Sequence, residues 1–214
     1  MKRNNYRVKV LRKIKDLKYA PFGEVTIACQ FNNLNYKLIL LTSECAHRKN
    51  LMGLLGKWRE RNAIWFPSQF KATIKRTTKW FKERAIETPD RLLFMIKVRN
   101  EYIGHAGLFR FNFNKKMCEV DNIIRGKPKY PGIMNSAILH MMNWGRKNLG
   151  VLFYTARTGS DNKKALRLFK ILGFVEFKRT PLIQIQAKDG LEWVEAPKGY
   201  NKRTKRNAVF MKLV

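Results

Sequence analysis

The sequence predicts a mixed α/β fold in which helices cover both faces of one sheet. Segments with strand and helix patterns follow one another as two strands, two helices, three strands, a loop, and then helix, strand, helix and two strands. The chain has 214 residues, a usual length for one domain. Hydrophobic residues make up 45% of it, so we expect a sizeable core and exclude a wholly disordered protein.

The first half of the chain predicts a hairpin, two helices and three strands. β-forming residues flank an Asn-rich turn at residues 32–35, which is typical of a hairpin. Ser43 can cap the first helix, and Pro67-Ser68 open the second. The predicted segments are 24–31, 36–42, 43–58, 67–81, 91–98, 102–111 and 117–125.

The second half predicts two helices among three strands. Apolar residues at helical spacing mark a long helix at residues 133–149, and Ser160-Asp161 can cap a second one that Gly173 ends. The polar and basic stretch 184–206 predicts a loop. The strands of this half are predicted at 151–155, 174–179 and 208–214.

The charge of the chain points to an anionic partner. Lys and Arg number 45 against 15 Asp and Glu, a formal net charge of +30. Such an excess suits nucleic acid, an anionic membrane surface or small polyanions such as CoA and nucleotide sugars. It is concentrated in residues 1–18 and 198–206, which we interpret as solvated, mobile segments. No nucleic-acid-binding motif accompanies it, so a nucleic-acid partner rests on charge alone.

Three further observations indicate a cytoplasmic protein. No apolar run approaches the ~20 residues of a membrane span, and the first residues lead into no secretory signal. Cys29, Cys45 and Cys118 are scattered, so they predict reduced thiols rather than a disulfide framework or a metal site.

The loop at residues 125–132 is a candidate anion site. It joins a predicted strand to a predicted helix, Gly126 and Gly132 bracket it, and Lys127 and Lys129 lie inside it. A helix N-terminus leaves backbone N–H groups unpaired and carries a partial positive charge. Glycine lets that backbone approach a phosphate closely.

Two segments carry a resemblance to a known family. Asn162, Ala165 and residues 168–174 are similar to the "N..A...Y.K.GF" segment of the GNAT superfamily of acetyl-CoA-dependent N-acetyltransferases. The loop at 125–132 resembles the pyrophosphate loop of that family, although the family's usual motif is altered in this chain. The resemblance covers residues 38–214 and implies a mostly antiparallel sheet with a V-shaped splay between the fourth and fifth core strands. Residues 1–37 lie outside it and predict a basic N-terminal extension with a hairpin strand.

A narrower likeness concerns the acceptor. Residues 58–66, 103–108 and 119–134 resemble GNAT enzymes found with sugar-nucleotide and polysaccharide genes. This likeness implies acetylation of an amino group on a nucleotide-linked amino sugar, for example a 4-amino-4,6-dideoxyhexose.

The resemblance also implies where acetyl-CoA binds. It would lie in the splay beside residues 117–125, with its pyrophosphate on backbone amides of residues 126–132 and its pantetheine arm paired with backbone groups near Ile123 and Ile124. Asn162 would contact CoA. The residues assigned to the coenzyme in this way are Ile123, Ile124, Arg125, Gly126, Lys127, Lys129, Tyr130, Pro131, Gly132, Ile133, Asn162 and Phe169.

The acceptor amine must lose a proton before it attacks the thioester. Strand alternation puts Glu119 and Asp121 on one face, about 7 Å apart. Neighbouring like charges raise one carboxyl pKa, which suits a general base. We predict Glu119 as the base, Asp121 as the next choice and His105 as the third. Pairing with the many Lys and Arg residues stays open for the two carboxylates, as does a structural role for His105. Phe169 occupies the position of the family's proton-donating Tyr, so Tyr154, a water or unassisted departure of the thiolate stay open for that step.

The acceptor side offers basic and aromatic candidates. Arg59, Arg61 and Arg125 can bind a diphosphate as bidentate donors, and Trp65 and Phe66 can stack on a base or sugar ring. Ordinary structural roles remain open for all five: surface solvation for the arginines and core packing for the aromatic pair.

Two other functions stay open. The acceptor can be a protein N-terminus, a lysine or a polyamine, although the positive charge repels a cation within the ~8 Å screening length. The chain can also be a non-enzymatic protein that uses this fold to bind nucleic acid. The sequence indicates no oligomeric state.

Overall fold

The computed structural model describes residues 2–69, 71–187 and 190–214. Short 3₁₀ turns precede and follow the second helix, and a π-helical segment at Phe81–Ile86 continues the third. The helices are α1 Lys2–Tyr19, α2 Lys49–Arg61, α3 Ile74–Trp80, α4 Ile133–Leu149 and α5 Lys163–Ile171. The strands are β1 Thr26–Phe31, β2 Leu34–Leu40, β3 Ser68–Gln69, β4 Leu92–Val98, β5 Glu101–Asn112, β6 Met117–Arg125, β7 Phe153–Gly159, β8 Phe174–Ala187, β9 Gly190–Glu195 and β10 Arg206–Leu213.

The described strands form one sheet in the order β1-β2-β4-β5-β6-β7-β10-β8-β9-β3. Its pairings are antiparallel except for the parallel pair β6–β7. That pair is joined only from Met117–Phe153 to Val120–Ala156, while β6 continues to Arg125. The two strands therefore separate towards their C-terminal ends, which confirms the predicted splay between the fourth and fifth core strands.

Helices cover both faces of the sheet, as predicted. Alternation along β4 shows the two faces: Leu92 and Phe94 belong to the core beneath α1, α4 and α5, whereas Leu93 and Met95 belong to the core beneath α2 and α3. A strand buried on both faces reads as a continuous apolar run, which is why the sequence predicts β4 almost to the residue.

The N-terminal segment departs from the prediction. Residues 2–19 form the helix α1 rather than a mobile, solvated segment. Val10 and Ile14 are buried in the core, and the buried Lys18 ammonium donates to the Ile86 carbonyl oxygen at 3.0 Å. Few apolar residues of α1 face the core, and basic residues surround them. The sequence therefore shows little of the helical spacing of apolar residues that would have indicated a helix.

The predicted hairpin is present as β1 and β2, which pair from Thr26–Ile39 to Phe31–Leu34. The boundary expected between residues 37 and 38 falls within β2, and β2 also pairs with β4. Residues on both sides of that boundary therefore belong to one sheet.

Three helix starts differ from the prediction. The helix expected from Ser43 begins at Lys49 with Arg48 at its N-cap, because Ser43 instead opens a short 3₁₀ turn, Ser43–His47. The helix expected at Pro67-Ser68 begins at Ile74, where the Thr73 side chain accepts from the Arg76 amide, because Ser68 pairs instead with β9. The C-terminal helix is capped one or two residues later than expected. There the Asn162 side chain accepts from the Ala165 amide at 3.1 Å.

The C-terminal region contains more sheet than the sequence indicates. The basic stretch from residue 184, expected to be a loop, contains the end of β8 and all of β9. Residues 183–187 alternate between apolar and polar side chains over only five positions and pair with β9, so the polar composition of the stretch concealed a strand. In the described part of the chain, no helix combines the length and the hydropathy of a membrane span. The three cysteines are buried free thiols.

Candidate active site

A cleft of 1610 Å³ lies where β6 and β7 separate. Residues 119–125 of β6 line it, together with the N-terminal ends of α4 and α5. Residues of α3, β7 and β9 and several residues between positions 59 and 73 also line it. The cleft thus occupies the position at which the resemblance puts the coenzyme and the acceptor.

The two predicted carboxylates both line this cleft, and each has an arginine partner. An Nη of Arg110 lies 2.7 Å from Oε1 of Glu119, and an Nη of Arg91 lies 3.0 Å from Oδ2 of Asp121. Burial raises the pKa of Glu119, the neighbouring Asp121 charge raises it further, and Arg110 opposes both effects. Glu119 therefore combines access to the cleft with an affinity for a proton above that of an ordinary glutamate.

Sequence reasoning missed the two arginines. Their guanidinium carbons lie 3.7 Å (Arg91) and 4.8 Å (Arg110) from the centroid of the Phe109 ring, and Phe109 is paired with Glu119 across β5 and β6. The sequence indicated only that the carboxylates had many basic residues to pair with. No local signal identifies which ones, since Arg91 lies just before β4 and Arg110 lies on β5, away from both carboxylates in the chain.

His105 lies on the same sheet face, but it is buried. Its exposed fraction is 3%, its Nδ1 is 2.7 Å from the carbonyl oxygen of Asn122, and the Trp58 ring lies over it with the centroids 6.1 Å apart. Burial lowers its pKa to about 4. Among the described residues it is not part of the cleft lining. The structure therefore does not bring His105 to the site as a base.

The carbonyl that His105 contacts belongs to a bulge in β6. His105 pairs with Ile124 and Gly107 pairs with Asp121, so two β6 residues, Asn122 and Ile123, face a single β5 residue. Asn122 has a φ of 53°. Such a bulge redirects side chains and frees backbone groups. Both bulged residues line the cleft.

Tyr154 does not reach the site. Its hydroxyl donates to the Met142 carbonyl oxygen at 2.5 Å, and its ring is buried in the core beneath α4. Strand alternation explains this placement: Tyr154 pairs with Cys118, which is buried in the core on the opposite face of the sheet, rather than with Glu119. Phe169 does line the cleft, so the described residues put a phenyl ring, without a hydroxyl, at the family's Tyr position.

The first part of the predicted amide cradle is occupied by the protein itself. The amides of Gly126 and Lys127 donate to the Ile103 carbonyl oxygen at 2.8 and 3.0 Å. A Cβ on Gly126 would lie 2.0 Å from Cε2 of Trp58, so this glycine lets the indole pack against the loop. Gly126 therefore packs the loop against α2, and its amide is not free for a phosphate.

The free amides lie further along, at the N-terminus of α4. Within the described chain no acceptor pairs with the amides of Tyr130, Gly132 or Met134, and all three residues line the cleft. Gly132 caps the helix with a φ of 86°, in the left-handed region that favours glycine. These unpaired N–H groups and the positive end of the helix dipole are suited to bind a diphosphate.

The two loop lysines point elsewhere. Lys127 and Lys129 have their ammonium nitrogens 3.4 and 3.0 Å from the Glu101 carboxylate, and neither is among the described residues lining the cleft. Arg125 does line it, while its guanidinium donates to the carbonyl oxygens of Lys127 and Lys129 and so braces the loop.

The other predicted coenzyme residues divide in two. Ile123, Ile124 and Asn162 line the cleft, whereas Pro131 and the buried Ile133 do not. Asn162 contacts it while its side chain caps α5.

The predicted acceptor residues are partly occupied by protein contacts. Arg59, Trp65 and Phe66 line the cleft. The Arg59 guanidinium donates to the backbone and hydroxyl oxygens of Ser68 at 3.0 Å and lies over the Phe66 ring at 4.3 Å, and burial lowers its pKa to about 10. Arg61 donates to the Gly126 carbonyl oxygen at 3.2 Å, outside the lining.

The C-terminal strands contribute to the part of the cleft lined by the predicted acceptor residues, and the sequence did not indicate this contribution. The Trp193 amide donates to the Pro67 carbonyl oxygen at 2.8 Å. Arg206 donates to the Ile64 carbonyl oxygen at 3.2 Å and lies 5.3 Å from the Trp193 ring centroid. These contacts tie residues 63–69 to β9 and β10 and bring the indole of Trp193 to the cleft.

The cleft has a strongly positive lining. Thirteen described basic side chains face it against five acidic ones. The acidic residues are Glu83, Glu119, Asp121, Glu192 and Glu195, and the basic ones are Arg59, Lys71, Lys75, Arg76, Lys79, Arg84, Arg91, Arg110, Arg125, Arg157, Lys164, Arg167 and Arg206.

Comparison with known proteins agrees with this geometry. The family model described as an acetyltransferase (GNAT) domain matches residues 39–175. A search of curated proteins found no match.

Three solved structures share the fold at low sequence identity. A probable GNAT-family acetyltransferase from Chromobacterium violaceum has a TM-score of 0.64 and 14% identity, with 87% of this chain and 90% of that chain covered. Spermidine N-acetyltransferase from Vibrio cholerae, in complex with CoA and spermine, has a TM-score of 0.60 and 15% identity, with 83% and 94% covered. A ribosomal L7/L12 alpha-N-protein acetyltransferase has a TM-score of 0.60 and 11% identity, with 92% and 99% covered.

Proposed function

Because the chain belongs to the GNAT acetyltransferase family and is an acetyl-CoA-dependent N-acetyltransferase, we propose that its acceptor is the amino group of a nucleotide-linked amino sugar. A 4-amino-4,6-dideoxyhexose is one example of such a sugar. The observation that carries the proposal is the charge of the cleft, where thirteen basic side chains face five acidic ones.

A diphosphate-linked acceptor fits that charge. The coenzyme already brings phosphates, and further cations line the acceptor side, among them Lys71, Lys75 and Lys79 near α3. Lys79 has only a 3.8 Å contact with Glu83, in an exposed pair. Cations held in a low-dielectric cleft attract an anionic ligand and steer its approach.

Aromatic rings offer a surface for the base or sugar of this acceptor. Trp65, Phe66 and Trp193 line the cleft beside the buried Arg59. Such rings stack on planar bases and on sugar faces, while neighbouring guanidinium groups bind phosphate oxygens. The combination suits a nucleotide sugar better than a small amine.

Acetyl-CoA supplies the acetyl group as a thioester. The amides of Tyr130, Gly132 and Met134 at the N-terminus of α4 would bind its diphosphate, and the bulged edge at Asn122 and Ile123 would contact the pantetheine arm. The splay between β6 and β7 leaves room for it.

Glu119 would act as the general base. Its carboxylate lines the cleft, and its raised pKa gives it the proton affinity to take a proton from the acceptor ammonium, directly or through a water. The resulting amine would then attack the thioester directly, without a covalent enzyme intermediate. Asp121 is held by Arg91 and would contribute the charge that keeps the Glu119 pKa high.

A second acceptor class has its own support. The solved structures of similar fold include a spermidine N-acetyltransferase and a ribosomal alpha-N-protein acetyltransferase. A protein N-terminus or lysine within an acidic segment would also suit a basic cleft. A polyamine suits it less well, because the cations of the lining repel the cations of the acceptor.

A thiol-release assay tests the proposal. We expect CoA release with nucleotide-linked amino sugars and none above background with the free amino sugar, since the free sugar lacks the phosphates. Spermidine and an acidic peptide with a free N-terminus are the comparison acceptors. Release with either of them but with no nucleotide sugar would transfer the assignment to the second class.

A further inference from the structure

Arg110 occupies an unusual backbone position. Its φ is 51°, in the left-handed region that residues other than glycine seldom adopt. It lies at a second bulge. Phe109 pairs with Glu119 and Asn112 pairs with Met117, so Arg110 and Phe111 of β5 together lie opposite the single β6 residue Cys118. One extra residue is therefore inserted into β5 directly after Phe109, the residue that pairs with the predicted base.

The bulge decides which side chain enters the core. Leu108 faces the core, so regular alternation would turn Phe109 to the cleft face and Arg110 back into the core. Instead Phe111 is buried in that core. The inserted residue thus removes Arg110 from an apolar environment and turns its guanidinium to the face that carries Glu119.

Two contacts hold the guanidinium in place, one with the Glu119 carboxylate and one with the Phe109 ring. An Nη of Arg110 is 2.7 Å from Oε1 of Glu119, and its guanidinium carbon is 4.8 Å from the Phe109 ring centroid. Arg91 lies against the same ring at 3.7 Å, but its Nη atoms donate to Asp121 and to the Arg84 carbonyl oxygen. Each carboxylate therefore has its own arginine.

Other charged groups also surround Glu119. Asp121 acts on it from β6 and Arg157 from β7, while Arg157 is itself paired with Glu195 at 3.0 Å. The buried thiol of Cys118 lies next to it in the chain and faces the opposite side of the sheet. Arg110 is the group in hydrogen-bonding contact with the Glu119 carboxylate among the described residues.

We infer that Arg110, held in its left-handed bulge, is a positioning residue that orients the Glu119 carboxylate and sets the pH range over which it is ionised. The inference deepens the proposed function and rests on it, because it takes Glu119 as the base. The side chain of Arg110 is 46% exposed and that of Glu119 is 11% exposed, so the pair lies at the cleft surface, where a substrate meets it.

Carboxyl NMR titration of the full chain tests the inference without relying on activity. With ¹³C-labelled glutamate, and Glu119→Gln to identify the signal, we expect Arg110→Gln to raise the Glu119 titration midpoint by about 1 pH unit or more, because a nearby opposite charge lowers a carboxyl pKa by that amount. Arg110→Lys keeps the positive charge, so its Glu119 midpoint should stay close to that of the unmodified chain. Arg179→Gln, which breaks the exposed Arg179–Glu176 pair, is the matched control and should leave the Glu119 midpoint unchanged.

Arg110→Gly is the second variant, chosen in case Arg110→Gln fails to fold. Glycine adopts the left-handed conformation without strain, and the substitution still removes the guanidinium. It should raise the midpoint as Arg110→Gln does. The acidic limb of the kcat/KM profile should move with the NMR midpoint in both variants. An unchanged midpoint in a folded Arg110→Gly variant, or a moved midpoint with an unmoved acidic limb, would overturn the inference.

This experiment separates the two claims. Full activity in Glu119→Gln would refute the base assignment in the proposed function, whatever Arg110 does to the titration. Loss of activity in Glu119→Gln together with an unmoved midpoint in Arg110→Gly would leave the base assignment standing and refute the role of Arg110.

Discussion

The imidazole of His105 lies 2.7 Å, through Nδ1, from the carbonyl oxygen of Asn122. A buried side chain on β5 thereby fixes the bulge through which β6 presents Asn122 and Ile123 to the cleft. The sequence predicts His105 as a base of third choice. Its burial under Trp58 makes it a support for the bulge instead.

This contact predicts a pH-dependent stability. Burial lowers the His105 pKa to about 4, whereas an unfolded histidine titrates near 6.5. Between these values the unfolded chain binds more protons, so the contribution of His105 is fully present above about pH 6.5 and is lost as the pH falls to 4, by about 3 kcal/mol at most. Urea unfolding from pH 4 to 7 measures it.

The matched variant is His105→Asn, which keeps a hydrogen-bond donor near Asn122 but does not titrate. Its unfolding free energy should vary less with pH in this window than that of the unmodified chain. Equal slopes in the two proteins would show that His105 is not the group responsible.

Glu119→Gln should lower kcat by about 10²–10⁴, the usual contribution of a general base, and leave the acetyl-CoA dissociation constant nearly unchanged. The amide keeps the shape of the carboxylate but does not take the proton. Steady-state kinetics and calorimetry with acetyl-CoA separate the two effects. Glu176→Gln, on the exposed face of β8, is the control. A kcat for Glu119→Gln equal to that of the unmodified chain would show that Glu119 is not the general base.

Gly126→Ala should destabilise the fold by about 1–3 kcal/mol, because its new methyl group would lie 2.0 Å from the Trp58 ring. Gly53→Ala adds the same group on α2, where the nearest atom is 3.7 Å away in the Ile74 side chain, and should be neutral or slightly stabilising. Denaturant midpoints compare the two variants. Similar midpoints would mean that Trp58 yields easily and that Gly126 is not a packing requirement.

Gly132→Ala should weaken acetyl-CoA binding by about tenfold, because a φ of 86° and a Cβ 2.7 Å from the Phe31 ring disfavour alanine at the cap of α4. Lys127→Ala should have a smaller effect, since its ammonium lies 3.4 Å from Glu101 rather than in the cleft. Calorimetric titration with acetyl-CoA ranks them. The reverse order would place the phosphate contacts on the lysine side of the loop.

Local patterns account for what the sequence predicts well. The bounds of β6 and α4 agree with prediction because β6 alternates between its faces, and Gly132 and Gly150 lie at the two ends of α4. The position of Glu119 on the cleft face follows from alternation alone. The splay came from the family resemblance, since no local pattern marks where β6 and β7 separate.

Non-local contacts account for what the sequence misses. Arg91, just before β4, and Arg110, on β5, become partners of the carboxylates only when β4, β5 and β6 align in register. Trp193 reaches the cleft because β9 pairs with the two residues of β3, far away in the chain. The amides of Gly126 and Lys127 were assigned to a phosphate, but the carbonyl of Ile103 takes both. Neither the spacing of residues along the sequence nor its composition indicates which distant groups pair in this way.

We propose that this basic cleft acetylates an amine carried by a diphosphate-linked sugar. A competition reaction read by mass spectrometry distinguishes this acceptor from a polyamine, with acetyl-CoA and equal concentrations of a nucleotide-linked 4-amino sugar and spermidine. We predict that one acetyl group is added to the nucleotide sugar and none to spermidine. Acetylated spermidine beside an unmodified nucleotide sugar would contradict the account.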